Sequence, residues 1–371
     1  MNRRSALGGL AASVAFPAFG LSLAPQSASA QLVSIAALPA ITDPAHALQQ
    51  SWAAWKLAYL TPEGRVIDTL QEGASHSESQ GYGLFMAATF GDQASFDLID
   101  TWTQQNLAIR PDNLFAWRWL PAGAAAVPDL NNASDGDLFY AWALVRAAKT
   151  FVRPELIGRA AAIAQDLAAT CLLPHPDGSG RVLFTPASAG FARETGIVVN
   201  PSYYMPRAMR ELAEATGIGI WAQAANDGET LMAEMAVQGL IPDWITVTAS
   251  GFATDTVQKD HNGYEAMRVA LFLIWSGSAM HPAVGRQAEA YQRNADPAAA
   301  PTIIDRLTLA VLEKSPDSGY RAIAGLVNCA ASSDFGAAIP RFTTQQPYYP
   351  ATLHMFTFLA QIEASPSCLP I

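Results

Sequence analysis

Apolar residues recur at helical spacing along almost the whole of this 371-residue chain, and clean strand-like alternation is scarce. Each such segment has one stripe to hide, and stripes of this kind hide against other helices. The periodicity predicts helices near residues 44–60, 80–90, 93–108, 134–151, 154–171, 203–216, 219–237, 262–277, 283–295, 301–313, 317–330 and 349–364. About twelve helices, evenly spaced, pair into six hairpins. No strict repeat accompanies them, which argues against a tetratricopeptide or armadillo solenoid. Asp43-Pro44 and Asp92 read as helix starts. The long connections 109–133, 172–202 and 238–261 are rich in Pro, Gly, Asn and aromatics, the places where a rigid scaffold carries binding groups. Within them "RVLFTPASAG" (181–190) and "WITVTASGFATD" (244–255) suit short hairpin strands.

With 50% hydrophobic and 15% charged residues the chain can bury a large core. Residues 1–30 have a basic start, an apolar middle and a small-residue end at Ala28-Ser29-Ala30, which predicts a secretory signal cut after Ala30 and a single domain over 31–371. Pro17, Gly20 and Pro25 interrupt its apolar stretch, so a membrane anchor is the weaker reading. The expected mature protein is periplasmic or secreted and not inserted in a membrane. Arg3-Arg4 leaves the export route open between a plain basic start and a twin-arginine signal. Losing that pair takes the formal charge from −10 to −12, a surface that repels nucleic acid and anionic lipid and is indifferent to neutral polysaccharide. Cys171, Cys329 and Cys368 allow at most one bridge, and Cys171 ends the apolar stripe Ala160, Ile163, Leu167, where a buried thiol is expected.

Three segments concentrate chemistry. "SHSESQGYGLFMAATFGD" (75–92) sets a single acid, Glu78, among small polar residues before an apolar helix. Taken alone it is an acid favoured by a helix dipole. "NNASDGDLFYAWALVRAAKTF" (131–151) places Asp135 and Asp137 at a second helix start, with Gly136 between them leaving room for a ligand. "HNGYEAMRVALFLIW" (261–275) opens a third with Tyr264, Glu265 and Arg268, where a surface ion pair is the bland alternative. Each helix then runs apolar, so each acidic tip ends a buried rod. Three such rods side by side aim carboxylates into one cleft, and glycosidic bond cleavage needs two: one to protonate the leaving oxygen, one to activate water or attack the sugar. Trp117, Trp119, Tyr203, Tyr264, Tyr348 and Tyr349 are candidate flat partners for sugar rings, with core packing as the equal alternative, while Trp142 and Trp275 belong to the core. His76, Asp135, Asp137 and His261 lack metal-ligand spacing, and no metal or other cofactor is expected. No G-x-S-x-G turn supports serine catalysis.

"SHSESQGYGL" resembles the S-E-G-Q-G-Y-G-M segment of glycoside hydrolase family 8, and "ASDGDLFYAWALVRAAKTF" resembles that family's A-[ST]-D-[AG]-D signature helix, with Tyr140 where Ile or Met is usual. "DNLFAWRWL" (112–120), "NPSYYMP" (200–206) and "PYYPATLHMFTFLAQIEA" (347–364) follow in the family's order, so the resemblance spans about residues 48–364. It implies an all-α (α/α)6 barrel with long loops and short hairpin strands around the cleft, and inverting hydrolysis of β-1,4-glucan. It implies Glu78 as proton donor, Asp135 as the residue that holds and distorts the sugar, and Asp137 and His76 in support. Where the family reads Y-D-A-x-R this chain reads Tyr264-Glu265-Ala266-Met267-Arg268, so Glu265 takes the place of the aspartate base, and Ser79 stands where the family has glycine. Trp117, Arg118, Tyr203, Tyr264, Arg268, Tyr348 and Tyr349 are then the expected substrate-binding residues. The family's members in cellulose-synthesising bacteria further imply functional association with a cellulose synthase. Two alternatives stay open: the same fold acting on xylan or chitosan, and a weak or silent glucan-binding protein.

Overall fold

The computed structural model describes residues 40–122, 125–254, 260–332 and 335–371; the expected signal, residues 1–30, lies outside them. Among the described residues eleven helices follow one another: α1 (Leu48–Tyr59), α2 (Ser77–Thr89), α3 (Gln93–Asn106), α4 (Ser134–Thr150), α5 (Leu156–Cys171), α6 (Pro206–Thr216), α7 (Ile220–Gln238), α8 (Met267–Trp275), α9 (Pro282–Arg293), α10 (Ser318–Ser332) and α11 (Tyr348–Ala364). Asp92 caps α3 as expected, accepting from the Ser95 N–H at 3.0 Å. Asp43-Pro44 opens only a turn, and α1 begins four residues later.

The residues of α2, α4, α8 and α11 are buried on nearly every side. Their rings interlock in the middle of the molecule: Phe85 stacks on Trp142 at 4.0 Å, Tyr82 meets Phe139 and Phe356 edge-on at 4.6 and 4.8 Å, and Trp275 lies 5.3 Å from Phe356. The other helices bury one stripe each. On α5 that stripe includes Ala160, Ile163, Leu167 and Cys171, and Cys171 is free and buried. Cys329 on α10 and Cys368 after α11 form a disulfide across a sequence separation of 39.

Among the described residues ten short strands make four antiparallel sheets. β1 (Ser75–His76) pairs with β2 (Arg118–Trp119), and β3 (Leu172–Pro174) with β4 (Val182–Phe184). β5 (Ala192–Arg193), β6 (Gly196–Val199), β7 (Ile245–Thr248) and β8 (Gly251–Ala253) form one sheet in that order. The hairpin expected in 244–255 is β7–β8, and the strand expected in 181–190 is β4, which forms a hairpin with β3 directly after α5.

β9 (Ala300–Ile304) and β10 (Val311–Ser315) correct the sequence reading: the helix expected over 301–313 is a hairpin. Asp305 explains it. Its Oδ1 accepts from the Leu307 and Thr308 backbone N–H groups and the Thr308 hydroxyl at 3.1, 2.8 and 2.8 Å, closing a turn in which Leu309 has φ 61°. An aspartate that captures these donors competes with helix hydrogen bonding, and Thr302, Ile303 and Ile304 suit the strand that precedes it.

Among the described residues no helix is long and apolar enough to cross a membrane.

Candidate active site

The first turn of α2 meets the first turn of α4 unusually closely. A Cβ on Gly136 would lie 2.5 Å from Ser77 Oγ and 2.6 Å from Glu78 N, and one on Gly81 would lie 2.9 Å from the Gly136 carbonyl oxygen. Only glycine permits this approach. The room at Gly136 is therefore taken by α2, not by a ligand, and its effect is to set Glu78 beside Asp135.

β1 pairs with β2 in the register His76↔Arg118, and Ser77 N–H donates to the Trp117 carbonyl at 3.0 Å, so "DNLFAWRWL" is fastened alongside the acid. Ser79 does not reach the cleft. Its buried hydroxyl accepts from the His76 N–H at 3.0 Å and lies 2.9 Å from the His76 carbonyl, tying the start of α2 to itself.

Arg268, in the first turn of α8, is fully buried and joins the parts. Its Nη1 donates to Glu78 Oε2 at 2.6 Å and to the Tyr82 hydroxyl at 2.8 Å, and lies 3.6 Å from Asp135 Oδ2. Its Nη2 donates to Ser202 Oγ at 2.8 Å and to Glu265 Oε2. The rings of Tyr203 and Tyr349 each lie 5.8 Å from the guanidinium. One rigid fork thus spans both glutamates, which a lysine's point charge would not do.

Glu265 occupies the turn just before α8. The same oxygen, Oε2, faces Asn200 Nδ2 at 3.1 Å and Ser202 Oγ at 3.2 Å. Asn200 directly follows β6 with Ser202 two residues on, and Asp243 stands two residues before β7, so the sheet brings them to the turn that carries Glu265. Asp243 Oδ1 accepts from the Gly263 and Ala266 N–H groups at 2.8 Å each, and Asn262 exchanges backbone hydrogen bonds with Ile304 on β9. The misread hairpin is thus a support for the turn that carries Glu265. Asn200, Ser202, Tyr82 and Asp243 were not singled out in the sequence. Three of them lie in motifs already quoted, "NPSYYMP" and "SHSESQGYGL", whereas Asp243 carries no motif.

Asp135 is 2% exposed, and burial, followed by the nearby charge of Glu78, raises its pKa well above the usual carboxylate range despite Arg268. Asp137 points elsewhere. It is buried, accepts from Phe115 N–H at 2.9 Å and Asn132 Nδ2 at 2.8 Å, and so anchors the 113–117 loop; burial pushes its pKa up to about 7 against the pull of those two bonds.

His76, Glu78, Tyr264, Glu265 and Tyr349 line a cleft of about 360 Å³, with Asp68 and Asp317 on its wall. The Tyr349 hydroxyl donates to the Tyr264 carbonyl at 2.7 Å, and that of Tyr264 donates to Glu313. Trp117 lies half-exposed, stacked on His76 with ring centroids 6.0 Å apart, and Arg118 lies over it. Trp119 packs edge-on to Trp102, with the Arg65 guanidinium 4.3 Å from its ring. Tyr348 departs from expectation: it is 2% exposed and edge-on to Trp55 and Tyr59, leaving no ring face for a sugar. Its place at the first residue of α11, not in a loop, is the reason. Among the described residues no cluster of His, Cys, Asp and Glu fits a metal ion.

The sequence profile of glycosyl hydrolases family 8 matches residues 25–363. The chain belongs to that family. A probable endoglucanase of Novacetimonas hansenii is 34% identical over 329 residues, 87% of this chain and 94% of that protein. The solved endo-β-1,4-glucanase CMCax of Acetobacter xylinum superposes with a TM-score of 0.75 at 31% identity, covering 88% of this chain and 99% of that one. A family 8 endo-β-1,4-glucanase from an Achatina fulica gut metagenomic library gives a TM-score of 0.76 at 28% identity over 84% and 97%. As a family 8 glycoside hydrolase, the chain has the family's (α/α)6 barrel fold, built here from eleven described helices.

Proposed function

We propose that this protein is an inverting endo-β-1,4-glucanase acting on cellulose-like glucan, with Glu78 as general acid and Glu265 as general base. The observation that carries the reading is Arg268, which gathers both glutamates at a tyrosine-walled cleft. Glu78 would protonate the glycosidic oxygen while Glu265 takes a proton from the water that attacks the anomeric carbon from the other face. Asp135, whose pKa burial raises, would hydrogen-bond the sugar at the cleavage point. Tyr203, Tyr264, Tyr349 and Trp117 would flank the chain, with Arg118 at its edge. The named activities of the relatives support the substrate class. The test is release of reducing ends from carboxymethylcellulose: Glu78→Gln should lower kcat roughly 10²–10⁴-fold, and equal rates would sink the assignment.

One observation favours a second reading, a glucan-binding protein with little turnover. Arg268 occupies the region between the carboxylates, and Glu265 Oε2 already faces three donors. An inverting pair needs roughly 6.5–9.5 Å of clear separation for its water. Binding of cello-oligosaccharide without reducing-end release would select this reading.

Export and work beside a cellulose synthase belong to the same proposal. The leader-like residues 1–30 support the first, and mature protein beginning at Gln31 would establish it. The resemblance alone supports the second.

A further inference from the structure

Asp243 is a buried carboxylate that neither the acid–base pair nor the wall of the cleft uses. It is 8% exposed and does not line the cleft, so it stands behind the reacting groups. Its Oδ1 accepts from the Gly263 and Ala266 N–H groups at 2.8 Å each. Both donors lie ahead of the first residue of α8, where an N–H has no carbonyl of that helix to bond, and a distant part of the chain supplies the acceptor. The Ala266 N–H belongs to the planar peptide unit that joins Glu265 to Ala266, so whatever grips it also fixes the root of the Glu265 side chain. The other oxygen of Asp243, Oδ2, faces His261 Nε2 at 3.3 Å, and the Asp243 N–H donates to the His261 carbonyl at 2.9 Å. Gly263 shows how close the fit is: a Cβ there would lie 2.5 Å from Asp243 Oδ2 and 2.9 Å from His261 Cδ2.

We infer that Asp243 is a positioning residue for the general base: by holding the 263–266 turn from behind, it sets where the Glu265 carboxylate stands. Glu265 is then defined from two sides. Asn200 and Ser202 meet its Oε2 at 3.1 and 3.2 Å, while Asp243 holds its backbone. A glutamate has one more rotatable bond than an aspartate, and a backbone fixed at its root limits where that freedom can carry the carboxylate.

This inference rests on the reading of Glu265 as base. Its test is kcat on carboxymethylcellulose for Asp243→Ala and Asp243→Asn, with Asp243→Ala made both alone and together with Glu265→Gln. Asp243→Ala removes the acceptor and should lower kcat about a hundredfold, the order expected for a base misplaced by about 1 Å. Asp243→Asn keeps an acceptor oxygen for the two N–H groups and should stay within about tenfold of the parent. Once the base is gone its placement no longer matters, so in the Glu265→Gln background Asp243→Ala should cost less than about threefold. A loss of the same size in both backgrounds would overturn the inference, since Asp243 would then act on the fold or on Tyr264 and not through Glu265. So would Asp243→Ala turning over within about twofold of the parent, or Asp243→Asn falling as far as Asp243→Ala. A parent that releases no reducing ends, or that Glu265→Gln leaves unchanged, sinks the reading of Glu265 as base and carries this inference with it. Should Asp243→Ala fail to fold, Gly263→Ala takes its place, because its Cβ would crowd Asp243 Oδ2. A lower kcat that is again absent in the Glu265→Gln background supports the inference, and an unchanged kcat refutes it.

Discussion

At the scale of single residues the site turns on Glu265 and Arg268. Glutamate at position 265 carries one methylene more than the family's aspartate, and in this chain the extra reach brings Oε2 onto Arg268, Asn200 and Ser202. If Glu265 is the working base, Glu265→Gln should lower kcat on carboxymethylcellulose roughly 10²–10⁴-fold. Glu265→Asp, with its carboxylate drawn back by about 1 Å or more, should lose on the order of a hundredfold. A gain of activity in Glu265→Asp would instead favour the glucan-binding reading. Arg268→Lys should cost about a hundredfold in kcat as well, because one ammonium cannot hold Glu78 and Glu265 together; wild-type turnover would show that the bridge is incidental. Glu78, Asp135, Glu265 and Arg268 were legible in the sequence because each stands in a short motif at the head of an apolar helix. Asn200 and Ser202 lay inside a quoted motif, yet their partner, Glu265, is more than sixty positions away, and no local pattern records so distant a contact. Tyr348 was misread for the opposite reason: its neighbour Tyr349 does line the cleft, and one residue further back along a helix turns the side chain into the core.

At the scale of elements, the close crossing of α2 and α4 decides where the acid stands. Gly136→Ala would force a Cβ to within 2.5 Å of Ser77 Oγ and 2.6 Å of Glu78 N, both at the start of the acid's own helix. Overpacking of this kind costs about 1–3 kcal/mol, so a thermal melt should show a lower Tm and the assay a lower kcat. An unchanged Tm would mean that the helices separate freely and that the glycine is not what places Glu78. Helix existence was legible almost throughout, because a 3.6-residue apolar period survives whatever the packing partner. The failure at 301–313 shows where that signal stops: Ile303, Ile304, Leu307 and Val311 also fit a helical face, and the turn chemistry of Asp305 overrides it.

At the scale of the whole molecule, Glu363 near the end of α11 ties four helices together. It accepts from Arg146 at 2.6 Å and the Trp275 indole at 2.7 Å, and lies 3.0 Å from Arg207. Burial alone would raise its pKa, but Arg146 and Arg207 hold it below the usual carboxylate range. Glu363→Gln should therefore lower stability by about 1–3 kcal/mol, the loss of partly exposed charge-assisted hydrogen bonds, read from the denaturation midpoint. The pH dependence has two limbs of opposite sign. A lowered pKa such as that of Glu363 gives stability that is present above the unfolded value of 4.5 and fades as pH falls. A raised one such as that of Asp137 gives stability that is full below 3.8 and is lost as pH rises through about 7. Denaturation midpoints should accordingly peak in mildly acidic solution, and a midpoint still rising from about pH 5 to about pH 7 would contradict the Asp137 limb. Replacing Cys329 and Cys368 together by alanine should cost about 2–4 kcal/mol, loosening the end of α10 from the C-terminal tail. The barrel itself was legible from periodicity and family resemblance together; the sheet that carries Asn200 and Asp243 was legible only in part, since its strands are two to four residues long and joined across distant loops. The central claim is that this barrel hydrolyses β-1,4-glucan by inversion between Glu78 and Glu265. Proton NMR of the first sugar released from cellopentaose tests it most directly. The α-anomer is the predicted first product; the β-anomer, or no product at all, would contradict the account.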